Sequence, residues 1–333
     1  MAIKLLEAKG YRVEMMLLIN KAWGIYDVNS DLVNNWKTTY GLVKLFQPGF
    51  KHPYKPYFAA TNWLKKEQDK YQKILFRDET TAFKSGFYLL KRCKIIIDLN
   101  DFLLPHIKGL RKIKYLPLHW ILKLNINQAW VLVENQKKFF GKNVYCVPNL
   151  PLNAFYNTDK NFNKNRSHIP TALFVGSYLG EFESFLIEAD RYIQLIPSIQ
   201  IFVISRAITE ELKNRFKGKQ YIWINNADNL NEFYSKAWLS IVPGYKKDGP
   251  LVKFIESIYF HTPVICTKVS LNGYEIFNEK ETLIPNSNDV EEFIKNMMFL
   301  LKSETELDIR ADKLKAIANT KFSLSAIVES LEI

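Results

Sequence analysis

Residues 248–257 read "DGPLVKFIES" and lie between two apolar runs, "LSIVP" (239–243) and "TPVICT" (262–267). Each run is typical of a buried strand, and Pro250 is suited to the first turn of a helix. Three apolar side chains recur at helical spacing and are expected to face a sheet: Leu251, Ile255 and Ile258. The stretch is therefore predicted to contain the helix of a parallel strand–helix–strand unit.

The same alternation of apolar strands and helices extends over the chain in two blocks. In the first block, strands are predicted at 11–19, 94–99 and 129–134, and in 143–151, where a strand runs into a proline-rich turn. In the second block, further strands are predicted at 171–177, 199–205 and 221–225. Near-continuous apolar strands joined by helices indicate parallel sheets covered on both faces. The sequence therefore predicts an α/β protein of two Rossmann-like domains, residues 1–150 and 151–310.

Charge is divided unequally between the two blocks. Of the 46 Lys+Arg and 34 Asp+Glu, 25 and 11 lie in residues 1–150, a net of +14 that leaves −2 for the rest. Such asymmetry indicates that the first half faces an anionic partner. An AT-rich genome also favours Lys and Asn, and this second explanation stays open. The basic half carries no nucleic-acid recognition motif, so no nucleic-acid partner is expected.

Several classes of protein are disfavoured by composition. The three cysteines, Cys93, Cys146 and Cys266, are far apart and show no metal-ligand spacing, so neither a metal site nor a disulfide framework is expected. No apolar run approaches the ~20 residues that span a bilayer. The N-terminus has an acid at Glu7 and no signal-peptide pattern. A cytoplasmic location follows as an expectation, with peripheral attachment to the inner face of the membrane as a further one.

Two acids and a base surround the predicted helix at 248–257. Asp248 precedes the helix, while Lys253 and Glu256, three residues apart, share one face of it. A helix that follows a parallel strand presents free amides where phosphate-bearing ligands bind. Acids can accept hydrogen bonds from sugar hydroxyls or a ribose diol, and a lysine can meet a phosphate. The alternative is a helix-capping Asp with an exposed Lys–Glu pair.

With its surroundings, this stretch resembles the donor-binding signature of GT-B glycosyltransferases of family 4 (group 1). Asp248 and Glu256 take the two acidic positions of that signature, Gly249 follows the first acid, and "HTPVICT" supplies the strand that comes next. "TALFVGS" (171–177) resembles the strand that opens the donor domain, and "VYCVPNLP" (144–151) resembles the interdomain segment.

The resemblance implies a GT-B fold whose two domains face a cleft. The first domain is expected on the acceptor side, the second binds a nucleotide-sugar donor, and a C-terminal helix in residues 311–333 crosses back. The implied reaction is transfer of a hexose to a glycan or a polyprenyl-phosphate-linked acceptor, with retention and without a metal or other cofactor. Polysaccharide biosynthesis is the pathway class expected.

Roles for individual residues follow from the same resemblance. Asp248 and Asp101 are the predicted catalytic residues, Asp101 lying in "DLNDF" (98–102) after a strand of the first block. The predicted donor-binding residues are Gly176, Ser177, Arg206, Asp248, Gly249, Lys253 and Glu256.

The sequence departs from the family pattern in three places. The first acid is usually Glu, Leu251 stands where a second glycine is usual, and the basic pair after "FVGS" is missing, so Arg206 or Lys253 is expected to substitute. The chain also begins at what resembles the first helix, without the usual opening strand and its glycine-rich loop. A degenerate protein that binds donor without turnover, or a nucleotide-sugar 2-epimerase, therefore stays open as an alternative.

The segment 109–124, "GLRKIKYLPLHWILKL", interleaves bases with apolar side chains. Arg111, Lys112, Lys114 and Trp120 are predicted to face an anionic membrane surface or the acceptor, with Tyr115, Leu116 and Ile121 entering the headgroup region. An ordinary domain helix with basic solvent-facing positions explains the pattern equally well.

Overall fold

A computed structural model describes most of the 333 residues. The described residues are 2–18, 43–46, 55–99, 109–150, 165–176, 180–193, 198–217, 220–225, 227, 229–244, 251–278 and 288–331. The chain divides into two compact units, Met1–Val147 with Ser330–Ile333, and Pro148–Glu329. No helix within these described ranges is both long and apolar enough to cross a bilayer.

The first unit contains six described strands and four described helices. The strands are β1 Met15–Leu18, β2 Val43–Phe46, β3 Lys73–Phe76, β4 Lys94–Leu99, β5 Gln128–Val131 and β6 Val144–Cys146. The helices are α1 Ala2–Ala8, α2 Lys55–Glu67, α3 Glu79–Lys84 and α4 Leu110–Asn125. Strands β3-β4-β5-β6 form one sheet in that order, and β1 pairs with β2 in another. All of these pairs are parallel.

Apolar residues of alternate strand positions build the core of the first unit. Ile95, Ile97 and Leu99 of β4 pack with Ala129 and Val131 of β5 in one buried cluster. The residues between them, such as Ile96 and Trp130, are also buried, so both faces of β4 and β5 are covered. This is the burial expected of a parallel sheet.

The second unit contains five strands and seven helices among its described residues. The strands are β7 Thr171–Val175, β8 Gln200–Ser205, β9 Tyr221–Asn225, β10 Leu239–Val242 and β11 Val264–Cys266. The helices are α5 Gly180–Ile193, α6 Glu210–Arg215, α7 Leu230–Lys236, α8 Val252–Tyr259, α9 Val290–Leu300, α10 Glu304–Lys321 and α11 Leu324–Ser330. The strands form one parallel sheet in the order β11-β10-β7-β8-β9.

Two buried clusters cover the two faces of this second sheet. Ala172 and Phe174 of β7 belong to one cluster, and Leu173 of the same strand belongs to the other. The predicted α/β fold with parallel sheets is confirmed, because strands buried on both faces must be apolar at successive positions.

Several helices of the second unit begin where a short polar side chain caps them. The Asp289 side chain accepts a hydrogen bond from the Glu292 amide, at 2.8 Å, before α9. Thr209 does the same for α6 and Ser303 for α10. Each cap satisfies a backbone N–H that would have no partner in the first turn.

Candidate functional site

The order of strands in the second sheet changes direction between β7 and β10. From β7 the chain adds β8 and then β9 on one side, and it afterwards crosses to the other side to add β10 and β11. Because all five strands are parallel, their carboxyl ends lie at one edge of the sheet. Ligands of open α/β sheets bind at this edge, at the point where the order reverses. Gly176 follows β7 there, and Pro243 and Gly244 follow β10.

Two buried hydroxyl side chains fix the backbone that follows β10. Ser270 accepts a hydrogen bond from the Gly244 amide at 2.8 Å and donates to the Val242 carbonyl at 2.7 Å. Thr267 donates to the Gly244 carbonyl, and its hydroxyl oxygen lies 2.9 Å from that of Ser270. Both the amide and the carbonyl of Gly244 are therefore hydrogen-bonded, which fixes the backbone directly before residues 248–257.

A larger residue in place of Gly244 would crowd its neighbours. A Cβ at this position would stand 2.7 Å from Oγ of Ser270 and 2.8 Å from Cδ1 of Leu251. Contacts this short require the neighbouring atoms to move, so the glycine permits the close approach.

Helix α8 packs deeply against the sheet. Ile255 and Ile258 are buried, which confirms two of the three predicted sheet-facing positions. The prediction for Leu251 is wrong, because this side chain is 37% exposed. Leu251 precedes the first helical residue, with φ −78° and ψ 113°, so its backbone is extended and does not continue the helical face.

The start of α8 also corrects the expected capping. The N-cap residue is Leu251 rather than Asp248, because the helix begins at Val252. A leucine side chain has no acceptor atom, so it cannot satisfy the amides of the first turn. Those amides are the groups that an anionic ligand would use.

Glu256 is the buried charged residue of α8. Its side chain is 8% exposed, and Oε2 accepts hydrogen bonds from Lys253 Nζ at 2.6 Å and from the Tyr234 hydroxyl at 3.1 Å. Both of these contacts use Oε2, so neither occupies Oε1. The predicted proximity of Lys253 and Glu256 on one helical face is confirmed, and the alternative of a fully exposed pair is wrong for Glu256.

Tyr234 holds Glu256 from a neighbouring helix, α7. Its ring is completely buried and stacks on Phe260 with centroids 4.5 Å apart. Burial, with a contribution from the nearby Glu256 carboxylate, raises the pKa of Tyr234 well above its usual value. The tyrosine is therefore protonated at physiological pH and acts as a hydrogen-bond donor to the carboxylate.

Two further predicted donor residues lie at the same edge of the sheet. The Gly176 amide donates to the Ile204 carbonyl at 3.0 Å, which joins the ends of β7 and β8. Arg206 follows β8 directly and is exposed. The structure places both residues beyond the carboxyl ends of adjacent strands.

Four predicted residues lie outside the described residues: Asp101, Ser177, Asp248 and Gly249. Of the predicted membrane or acceptor residues, Lys112 and Trp120 are exposed on α4. Arg111 and Lys114 belong to the same helix, and their side chains lie outside the described part of the structure. The prediction that Tyr115 faces outward is wrong, because its ring packs against the core of the first unit.

Sequence reasoning did not single out Tyr234, Thr267 or Ser270. Tyr234 meets Glu256 across 22 positions of sequence, and Ser270 meets Gly244 across 26. The signal available was weak: hydroxyl residues follow the last strand in "CTKVS" (266–270), where a ligand edge was already expected.

Solved structures define the fold of the chain. HepE from Anabaena, in complex with UDP-glucose, matches with a TM-score of 0.73 and 12% identity over 99% of this chain and 93% of that one. A glycosyltransferase from Rickettsia africae matches with a TM-score of 0.70 and 14% identity, over 98% and 90%. Sucrose-phosphate synthase from Thermosynechococcus elongatus matches with 0.69 and 14%, over 98% and 88%. The fold of the chain is the GT-B fold.

A family model matches most of the second unit. Residues 169–303 match the family model described as glycosyl transferases group 1. The resemblance to group 1 glycosyltransferases seen in the sequence is thus confirmed over this part of the chain. A comparison with curated proteins finds no match.

Proposed function

We propose that the chain transfers a hexose from a nucleotide-sugar donor, bound at the carboxyl edge of β7 and β10, to a glycan or polyprenyl-phosphate-linked acceptor. The observation that carries the proposal is the buried Glu256, which lies on the helix that starts at this edge of the sheet. The match of residues 169–303 to group 1 glycosyltransferases and the UDP-glucose bound to HepE support a nucleotide sugar as the donor.

Glu256 is suited to hold the ribose of the nucleotide. Its Oε2 is fixed by Lys253 and Tyr234, so the carboxylate has a defined orientation before any ligand arrives. A carboxylate can accept several hydrogen bonds, and a diol offers two donors close together. Preorganisation of this kind reduces the ordering cost of binding.

Lys253 is suited to meet the diphosphate. Its side chain is 36% exposed, so the ammonium group reaches solvent while it contacts Glu256. The amides at the start of α8 add partial positive charge at the same place. Arg206 and Gly176, at the ends of β8 and β7, complete the proposed donor site together with Ser177, Asp248 and Gly249.

In the proposed reaction, negative charge develops on the leaving diphosphate, beside Lys253 and the first amides of α8. Loss of the nucleotide diphosphate leaves positive charge on the sugar and negative charge on the leaving group, and preorganised bases and amides stabilise the latter. We assign Asp248 and Asp101 to the sugar and acceptor side of the reaction on the resemblance alone. Retention of configuration and independence of metal or other cofactors belong to the same part of the proposal.

The acceptor is proposed to be anionic or membrane-linked because residues 1–150 carry a net charge of +14. A polyprenyl phosphate presents negative charge at a lipid surface, and bases near such a surface are attracted to it. A pathway of polysaccharide biosynthesis and a cytoplasmic, peripheral location agree with this acceptor.

Calorimetry with UDP, GDP and ADP sugars tests the donor site. We expect Glu256→Gln to weaken binding of the preferred nucleotide sugar about 5- to 150-fold, the loss of charge-assisted hydrogen bonds worth ~1–3 kcal/mol. Glu232→Gln is the matched control, because this exposed acid of α7 pairs with Lys236 in the same unit. Equal affinity of the wild-type and Glu256→Gln proteins, both folded, would remove the proposal.

A turnover assay distinguishes a transferase from a protein that only binds the donor. Release of nucleoside diphosphate, with or without an acceptor pool, is expected from the wild-type protein. Donor binding without any hydrolysis or transfer would favour the degenerate binder, and conversion of the bound sugar to its 2-epimer would favour an epimerase.

A further inference from the structure

Lys253 and Glu256 form an ion pair whose two members differ in freedom. The ammonium group of Lys253 lies 2.6 Å from Oε2 of Glu256, three residues further along α8. The side chain of Glu256 is 8% exposed, whereas that of Lys253 is 36% exposed. The acid is therefore enclosed by protein, while the base reaches solvent and has room to turn away from its partner.

The helix that carries the pair is fixed to the sheet. The Ser257 hydroxyl lies 2.7 Å from the Lys253 carbonyl and 2.7 Å from the hydroxyl of Ser240 on β10. Phe254 and Ile255, the two residues that follow Lys253, are fully buried. A rearrangement of the ion pair is therefore confined to the side chain of Lys253 and leaves the backbone of α8 in place.

Tyr234 remains as a donor to Glu256 when Lys253 turns away. Its hydroxyl donates to the same oxygen, Oε2, at 3.1 Å. Burial raises the pKa of Tyr234 well above its usual value, so the hydroxyl keeps its proton at physiological pH. A buried carboxylate that loses an ionic partner is costly unless other donors compensate it. The tyrosine reduces this cost and keeps the carboxylate oriented.

We propose that Lys253 is exchanged on donor binding, from Glu256 to the diphosphate, and that this exchange frees Glu256 for the ribose diol. The exchange rests on the proposed donor site. Lys253 is the second residue of α8, which begins at Val252. Because side chains of a helix lean toward its N-terminus, the lysine can reach an anion at the first-turn amides. The ribose hydroxyls then donate to the oxygen that Lys253 has left.

The exchange makes the site selective for nucleoside diphosphates over nucleosides. A nucleoside alone has to compete with Lys253 for Glu256, whereas a diphosphate draws this competitor away. Phosphate and ribose therefore assist each other's binding. Thermodynamic linkage requires that each of them raises the affinity of the other by the same factor.

Titration with the two halves of the ligand tests the exchange in the wild-type chain. The probes are inorganic pyrophosphate and a nucleoside, chosen from uridine, guanosine and adenosine to match the nucleotide sugar that binds. Ligand-observed NMR is suited to such weak ligands. We expect saturating pyrophosphate to raise the nucleoside affinity at least about fivefold. Sodium chloride at the same ionic strength is the control for a general salt effect.

Removal of the base should change the two affinities in opposite directions. Lys253→Met keeps most of the side-chain length without the charge, so nucleoside affinity should rise and nucleoside diphosphate affinity should fall at least about tenfold. Pyrophosphate should no longer affect nucleoside binding in this variant, whereas Lys253→Arg should retain the effect. Lys236→Met is the matched control, because this exposed base of α7 pairs with Glu232 and should alter neither affinity.

Two outcomes would overturn the exchange. Independent binding of pyrophosphate and nucleoside to the wild-type chain would show that nothing links the two halves of the ligand. A fall of both affinities in folded Lys253→Met would make the lysine a fixed support of Glu256. Failure of the proposed donor site itself is distinguishable, because Glu256→Gln would then leave nucleotide-sugar affinity unchanged.

Discussion

Helices α4 and α8 have equivalent positions in their sheets but differ in which side chains they bury. Each helix connects two neighbouring parallel strands, β4 to β5 and β10 to β11. In α8 five successive residues from Phe254 to Ile258 are buried, and one of them is the charged Glu256. In α4 large apolar side chains stand in solvent.

The two helices differ in how polarity relates to exposure: α8 buries a carboxylate that is paired with Lys253 and Tyr234, and α4 exposes large apolar side chains. A buried carboxylate is rare unless it is paired, and a large exposed apolar face is rare on a monomer. The acid in α8 is the residue proposed to hold a small polar ligand, whereas the side chains exposed on α4 form an apolar face. A buried charge and an exposed apolar face, rather than overall composition, therefore distinguish these two helices.

The largest effect expected concerns the packing of α8. Phe254 is fully buried and stacks on Tyr274 with centroids 5.0 Å apart, so Phe254→Ala should lower the free energy of unfolding by about 3–5 kcal/mol. Phe299→Ala, at a 64% exposed position of the same unit, should change it by less than about 0.5 kcal/mol. Denaturant titration of both variants makes the measurement. Similar costs at the two positions would contradict the packed character of α8.

An intermediate effect is expected at the loop that leads into α8. Ser270→Ala removes an acceptor from the buried Gly244 amide, which should cost about 1–3 kcal/mol of stability and weaken donor binding. Ser235→Ala, whose hydroxyl only contacts the Glu232 carbonyl at an exposed site, is the control. Calorimetry and thermal unfolding should both separate the two variants. Donor affinity unchanged in Ser270→Ala would mean that Gly244 does not position the ligand.

The smallest effect on stability is expected for the exposed apolar side chains of α4. Ile113→Ser and Trp120→Ser should each change the free energy of unfolding by less than about 0.5 kcal/mol, because both side chains already contact water. Ile255→Ser in α8 is the opposing control, since this side chain is fully buried. If the α4 variants lower the free energy of unfolding as much as Ile255→Ser does, the side chains of Ile113 and Trp120 are covered in the folded protein, and the contrast between α4 and α8 is wrong.

Most of the second sheet was predictable because its strands are long apolar runs. The predicted segments 171–177, 199–205 and 221–225 contain β7, β8 and β9. Strands β7 and β8 are buried along most of their length and leave no polar interruption, whereas β9, at the edge of the sheet, is an apolar run with only its first residue buried. Strands β2 and β3 were not predicted. Each is four residues long and carries a Lys, "VKLF" and "KILF", so neither forms a run that can be told from its surroundings.

The site was predictable only where its parts are close in sequence. Lys253 and Glu256 are three residues apart, and helical geometry alone places them together. The contact of Tyr234 with Glu256 depends on how α7 and α8 pack on the sheet, which local periodicity does not encode. The orientation of α4 was partly mistaken for the same reason: Tyr115 has the composition of an interfacial residue, but the packing of His119 and Leu122 turns it inward.

The change of direction in the second sheet also has a consequence for how the unit folds. Pairing of β8 with β9 joins Ile201 to Tyr221, whereas pairing of β10 with β7 joins Leu239 to Ala172, much farther along the chain. Closing a longer loop costs more entropy and slows the pairing, so β10 should join the sheet after β8 and β9. Pulsed hydrogen exchange during refolding would detect this order, and simultaneous protection of all strands would contradict it. The proposed donor edge between β7 and β10 then forms only once the slowest pairing is complete, so nucleotide-sugar binding is expected to appear last during refolding.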